Sequence, residues 1–189
     1  SEFNEELRRR LLEGEYFGIP TGFGEFDKIL GGLRKEKLIV ISGLTNVGKT
    51  SFALNMALNL ADAKRSVLFF SLEMPPIDIV KKVMMLKTNL SNDSLKDIKD
   101  PSDELTKVDM ALKSFNLKDD IPMYLYSGTG EVKFEILSGV AELAVRRFGA
   151  QAIFVDHLHY FVKNYNNLTG ETSKLVREIK ALARKLEIP

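Results

Sequence analysis

Four short runs of apolar residues recur along the chain, and each is nearly continuous instead of alternating with polar residues. Continuous runs are typical of strands covered on both faces of a sheet, whereas a half-buried strand alternates apolar and polar positions. The pattern therefore predicts four buried strands, at residues 37–42, 66–71, 122–126 and 152–156.

The intervals between these runs carry apolar residues at helical spacing. This spacing predicts helices over residues 51–64, 77–86, 132–148 and 172–186, and a shorter apolar stripe (Phe23, Phe26, Ile29, Leu30) predicts a helix that ends at Gly31. Strands that alternate with helices along a chain form a parallel sheet covered by those helices. We therefore predict an α/β fold with a mainly parallel sheet flanked by helices.

The composition narrows the class of protein. Of the 189 residues, 44% are hydrophobic, which is enough to bury one sizeable core. Lys and Arg number 27 against 26 Asp and Glu, so net charge gives no argument for a nucleic-acid or membrane partner. No apolar run has the length that spans a bilayer. The absence of cysteine excludes disulfides and thiolate metal sites and fits a cytoplasmic protein.

Two regions are expected along the chain. Residues 1–16 are interpreted as a cloning remnant, "SEF", and a short linker helix, which either docks on a neighbouring subunit or is a frayed terminus. Residues 17–189 are expected to form a single domain.

One segment matches the phosphate-loop pattern G-x-x-x-x-G-K-[ST] in full. It lies between a predicted strand and a predicted helix, so its glycines would let backbone N–H groups point at a phosphate beside a helix N-terminus. The lysine would reach the β- and γ-phosphates, and the threonine hydroxyl would ligate Mg²⁺. The predicted nucleotide-binding residues are Gly43, Leu44, Thr45, Asn46, Val47, Gly48, Lys49, Thr50 and Ser51.

Two carboxylates follow predicted strands and are therefore expected at the carboxyl edge of the sheet, where open α/β sheets bind ligands. Asp156 ends the run "AIFV" and suits a Mg²⁺ ligand. Glu73 follows "VLFFSL" and suits a general base that polarises an attacking water. Together with Lys49, Glu73 is a predicted catalytic residue.

Several segments in order resemble those of a known family. They are "GIPTGFGEFDKILGGL", "GLTNVGKT", "FFSLEM", "IFVDHLHYF" and the closing "SKLVREIKALARKLEIP". They resemble the RecA-like ATPase domain of DnaB-type hexameric replicative helicases over nearly everything after Tyr16. The phosphate loop is shared by many NTPases, whereas "SLEM" is more particular to these helicases.

The resemblance implies a RecA-like P-loop core that uses ATP and Mg²⁺, with Lys49 and Thr50 in the phosphate loop, Glu73 as the catalytic glutamate and Asp156 as the magnesium-side aspartate. Family members form hexameric rings, couple ATP hydrolysis at subunit interfaces to movement along single-stranded DNA, and work with a primase or loader. A RadA-like DNA repair ATPase and a nucleotide-dependent assembly module without motor activity stay open as alternatives.

This chain departs from the family at one motif. Where the family usually reads Asp-Tyr-Leu-Gln, it has Asp156, His157, Leu158 and His159. We interpret His159 as a replacement for the glutamine. The two histidines would share one face of an extended strand, so metal binding or phosphate sensing stays open beside a role as hydrogen-bonded polar residues.

The family pattern continues beyond Pro189 into further strands, an arginine finger and most of the DNA-binding loops. We therefore expect a core without its C-terminal strands that binds Mg-nucleotide, hydrolyses it weakly and does not unwind DNA. Residues 162–174 predict a polar loop in which Lys163, Tyr165 and Lys174 could face DNA, and a plain surface loop is the alternative.

Overall fold

The computed structural model describes residues 5, 18–88, 122–128, 132–161 and 168–189. Within these ranges the helices are α1 (Gly24–Leu30), α2 (Lys49–Asp62), α3 (Pro76–Thr88), α4 (Phe134–Phe148) and α5 (Leu168–Leu186). The strands are β1 (Val67–Ser71), β2 (Met123–Ser127) and β3 (Ala152–Asp156), and a short 3-10 helix (Leu158–Phe161) follows β3. The linker helix predicted within residues 1–16 lies outside the described residues, except for Glu5.

The three strands form one parallel sheet in the order β2-β1-β3. At the carboxyl edge, Ser71 of β1 lies opposite both Ser127 of β2 and Asp156 of β3. Parallel strands need crossover connections, and α3 follows β1 while α4 lies between β2 and β3 in the chain, as the alternating pattern predicted. The predicted α/β fold with a parallel sheet flanked by helices is confirmed.

Strand β1 is the centre of the core, and all five of its residues are buried. Its alternate side chains enter two different apolar layers. Phe69 packs in the layer formed with α2 and α3, and Phe70 packs in the layer formed with α4 and α5. Burial on both faces explains why the sequence of β1 is continuously apolar.

The prediction of a buried strand at residues 37–42 is wrong. These residues form no strand, and Val40 remains 59% exposed. An apolar groove of about 400 Å³ is lined by residues 37–43 together with residues of β3, α2 and α5. A strand requires a neighbour within hydrogen-bonding distance, and among the described residues this segment has none in a ladder. Apolar composition alone could not reveal whether this segment has a neighbouring strand.

Helix α1 also differs from its predicted stripe, because Ile29 is 81% exposed. With only seven residues, α1 packs through its N-terminal end, where the rings of Phe23 and Phe26 lie 4.8 and 5.5 Å from the ring of Phe52 in α2. Its predicted end is confirmed, since Gly31 adopts a left-handed conformation (φ 69°) as the C-cap.

The remaining helices match their predicted ranges closely, and the largest difference is α5, which begins four residues earlier than predicted. In the described part of the chain, no helix combines the length and apolarity that crossing a membrane requires.

Candidate nucleotide-binding site

The predicted phosphate loop forms an exposed turn that leads directly into α2. Two residues of the turn have positive φ, Asn46 at 63° and Gly48 at 94°. Gly48 is the N-cap of α2, and a side chain there would be strained, which explains the glycine. The first N–H groups of a helix have no partner within it, so the N-terminus of α2 supplies donors and partial positive charge for an anion.

Lys49 folds back over the loop that precedes it. Its ammonium donates hydrogen bonds to the carbonyl oxygens of Gly43 and Leu44, at 3.0 and 2.6 Å. These contacts hold the charge of Lys49 against the backbone of the segment that carries the phosphate-loop pattern. Lys49 therefore bonds to the backbone of the loop that precedes it.

Thr50 joins the loop to the edge of the sheet. Its hydroxyl donates a 2.8 Å hydrogen bond to Oδ2 of Asp156, the last residue of β3. Asp156 is only 9% exposed, so the contact is shielded from bulk water. A threonine hydroxyl and a strand-end carboxylate are hard oxygen ligands of the kind that Mg²⁺ prefers, and their mutual contact fits the predicted magnesium site.

Glu73 lies on the same edge, as predicted from its place after β1. The backbone N–H of Leu72 donates to the carbonyl of Asp156 at 2.8 Å, which extends the ladder up to the turn. The buried Ser71 hydroxyl donates to the carbonyl of Met74 at 3.1 Å and closes the turn around Glu73. The segment "SLEM" is thus a hydrogen-bonded turn that presents a carboxylate at the end of the central strand.

His157 also belongs to this site, and its contact with Glu73 was not predicted. Its Nδ1 lies 3.0 Å from Oε2 of Glu73. One ligand atom from each of Glu73, Asp156 and His157 lies within 4.8 Å of the others. The available signal was the position of His157 directly after a strand, at the edge where Glu73 was already expected.

The extended strand on which His157 and His159 were expected to share a face does not include either residue. Strand β3 ends at Asp156, and the 3-10 helix begins at Leu158. A period of two residues holds only while the chain stays extended, so the basis for this prediction does not extend past Asp156.

The predicted DNA-facing residues are only partly described. Lys163 and Tyr165 lie outside the described residues. Lys174 lies within α5, where its ammonium is 3.8 Å from the carboxylate of Glu178. The predicted loop at residues 162–174 is therefore wrong from residue 168 onwards, where α5 begins.

A parallel sheet flanked by helices, with a phosphate-loop sequence before α2 and a threonine of that segment bonded to a strand-end aspartate, is the arrangement expected of the RecA-like class. Comparison with protein families identifies the family within this class. The family described as the DnaB-like helicase C-terminal domain matches residues 18–189, and the chain belongs to that family.

Two named proteins that are similar to this chain support the same family assignment. The chain is 31% identical over 181 residues to the replicative DNA helicase DnaB of Geobacillus stearothermophilus, covering 94% of this chain and 39% of the relative. It is 31% identical over 189 residues to the replicative DNA helicase DnaC of Bacillus subtilis (strain 168), covering 98% of this chain and 40% of that protein. The chain thus spans about two fifths of these relatives.

Two solved structures share the fold. One, described as an ATPase domain, superposes with a TM-score of 0.77 at 24% identity, over 99% of this chain and 66% of that one. The other, a DnaB-like replicative helicase whose structure was described with its interactions with primase, superposes with a TM-score of 0.83 at 22% identity, over 99% of this chain and 46% of that one. The RecA-like fold predicted from the sequence is confirmed.

Proposed function

We propose that this chain is the ATP-binding and ATP-hydrolysing region of a replicative DNA helicase motor. The hydrogen bond between Thr50 and Asp156 carries the proposal, because it brings the end of the phosphate loop to the carboxylate at the sheet edge. Family membership supports the same conclusion. The RadA-like alternative has no comparable support, since the named relatives above are replicative helicases.

Each polar residue of the site has a part in the proposed reaction. Lys49 would exchange the carbonyls of Gly43 and Leu44 for phosphate oxygens. Thr50 and Asp156 would hold Mg²⁺, which when bound neutralises phosphate charge. Glu73 would orient a water and accept its proton while the water oxygen bonds to the γ-phosphorus and the bond to ADP breaks, releasing ADP and phosphate.

In the whole protein, we propose that this region works in a homo-oligomeric ring, a hexamer, on single-stranded DNA in the cytoplasm. The support is the identity of the relatives as replicative helicases. A primase or loader is proposed as a further partner, since one solved neighbour is described with primase.

Calorimetric binding of ATP in the presence of Mg²⁺ tests the proposal. We expect saturable binding by the wild type and at least about tenfold weaker binding by Lys49→Ala, because a charge-assisted phosphate contact is removed. Glu187→Gln is the matched control, since Glu187 is exposed and follows α5, near the other end of β3. Equal affinity of the wild type and Lys49→Ala, or no binding by either, would overturn the proposal.

A further inference from the structure

The cluster formed by Glu73, Asp156 and His157 is chemically different from a site for magnesium alone. It joins an imidazole nitrogen to two carboxylates at the ends of neighbouring strands. Imidazole is a favoured ligand of Zn²⁺, Co²⁺, Ni²⁺ and Cu²⁺, whereas Mg²⁺ prefers oxygen ligands in octahedral geometry. The cluster therefore offers a ligand set that selects transition metals.

The distances suit a single ion. Two ligand atoms that each lie 2.0 to 2.1 Å from a tetrahedral zinc ion are roughly 3.3 Å apart. Nδ1 of His157 and Oε2 of Glu73 lie 3.0 Å apart, and the three ligand atoms all lie within 4.8 Å of one another. The Glu73 side chain is 52% exposed, so packing does not prevent its carboxylate from rotating toward the other two ligand atoms.

The surroundings fit a bound ion as well. The His157 side chain is 34% exposed, which leaves a path for the ion and for a water as fourth ligand. The hydroxyl of Thr50 bonds to Oδ2 of Asp156 and so orients this carboxylate, as outer hydrogen bonds commonly do at metal sites.

We propose that Glu73, Asp156 and His157 bind a transition-metal ion such as Zn²⁺ or Co²⁺ when no nucleotide is present. The ion would engage the carboxylates that the proposed ATPase needs, so it would also inhibit hydrolysis. That inhibition rests on the proposed function, whereas the metal binding does not.

Titration of the nucleotide-free chain with Co²⁺, followed by visible absorption and by Zn²⁺ competition, tests the site. We expect saturable binding of one ion with the spectrum of a tetrahedral complex. His157→Ala should weaken binding by at least about tenfold, since losing a ligand costs no less than losing an outer partner. Its matched control is His159→Ala, which removes the other histidine of the chain and should bind Co²⁺ as the wild type does.

A second variant distinguishes the loss of a metal ligand from a folding defect. His157→Gln keeps a polar side chain beside Glu73 but supplies a poor metal ligand, so it should lose Co²⁺ binding while its circular dichroism is unchanged. Equal Co²⁺ affinity of the wild type and His157→Gln would overturn the proposal. Displacement of Co²⁺ by an equal concentration of Mg²⁺ would overturn it too, because the imidazole would then play no part.

Two variants separate this inference from the proposed function. Lys49→Ala should lose ATP binding and keep Co²⁺ binding, because Lys49 contacts only the phosphate loop among the bonds described above. His157→Ala should lose Co²⁺ binding and keep ATP binding. If Lys49→Ala keeps ATP binding, the proposed function fails while the metal site stands, and if His157→Ala keeps Co²⁺ binding, the metal site fails while the proposed function stands.

Discussion

Ser71 is a buried hydroxyl whose effect on the site is local. Its bond to the Met74 carbonyl closes the turn that carries Glu73, and the Ser127 hydroxyl reaches the same carbonyl at the longer distance of 3.5 Å. Ser71 is therefore a positioning residue, and Ser127 is a weaker partner of the same acceptor.

Ser71→Ala should lower the free energy of unfolding by about 1 kcal/mol, the usual contribution of one hydrogen bond. It should also slow ATP turnover more than it weakens ATP binding, because the turn that presents Glu73 is loosened. Chemical denaturation and steady-state kinetics measure the two effects. Ser127→Ala is the control and should have the smaller effect on both, and a larger effect of Ser127→Ala would contradict the assignment.

Glu73→Gln removes the proposed general base and keeps the shape of the side chain. We expect turnover to fall by about 100-fold or more while ATP affinity stays near that of the wild type. Single-turnover hydrolysis and calorimetry measure the two quantities. Unchanged turnover would favour the alternative of a nucleotide-dependent assembly module, in which hydrolysis is incidental.

At the scale of elements, α1 is fixed to α2 by a small polar network. Both the backbone N–H and the hydroxyl of Thr21 donate to the carboxylate of Asp27, at 3.0 and 2.8 Å. Nδ2 of Asn59 in α2 donates to the carbonyl of Thr21 at 2.9 Å. Thr21 is fully buried, so these bonds replace contacts with water that the residue has lost.

Asp27→Ala should destabilise the chain by roughly 1–3 kcal/mol, because it leaves the buried hydroxyl of Thr21 without its acceptor. Urea denaturation measures the change. Glu25→Ala, in the same helix but exposed and paired only with Lys28 in the described contacts, is the control and should change stability by less than about 0.5 kcal/mol. Equal effects of the two substitutions would contradict the role of the network.

Helices α4 and α5 are linked by an ion pair between Glu142 and Lys185, at 2.7 Å. The hydrogen bond from Lys185, together with its charge, lowers the pKa of Glu142 from the ordinary value of about 4.5. Because the folded-state pKa is the lower one, the stabilisation is fully present above the ordinary value. It is lost as the pH falls below 4.5, through the lowered pKa.

Glu142→Gln should therefore cause a small drop in Tm at neutral pH, small because the pair is at the surface. The difference from the wild type should shrink as the pH falls well below 4.5, where the wild-type carboxylate is also neutral. Thermal unfolding over a pH series measures this. A difference that persists unchanged in acid would show that the substitution acts through packing.

The elements also show what the sequence could and could not reveal. The three strands of the sheet were predictable from their apolar runs, and the places of Glu73 and Asp156 at its carboxyl edge were predictable because each lies at or just after the end of a strand. The contact between His157 and Glu73 depends on the register of β1 against β3, which is not local. The conformation of residues 37–42 depends on whether a neighbouring strand is present, and composition does not report that.

At the scale of the whole molecule, the sheet is asymmetric. Within the described residues, β3 forms a ladder with β1 alone, and the apolar groove runs along its other side. Ile153 directs its backbone N–H to that side, where it donates to the carbonyl of Pro189 at 3.2 Å. Parallel strands use alternate residues for each neighbour, so Val155 also presents its backbone groups to the groove.

This open side has a practical consequence for the purified chain. A strand edge that forms no ladder within the described residues and lies beside an apolar surface can template further strands, so we expect light scattering to rise with storage time and more steeply at higher protein concentration. Val40→Lys places a charge on the exposed wall of the groove and should slow that rise without lowering Tm. Identical scattering of Val40→Lys and wild type would show that aggregation proceeds through another surface. If Val40→Lys slows the rise, the usable concentration of the chain is limited by the edge of its sheet.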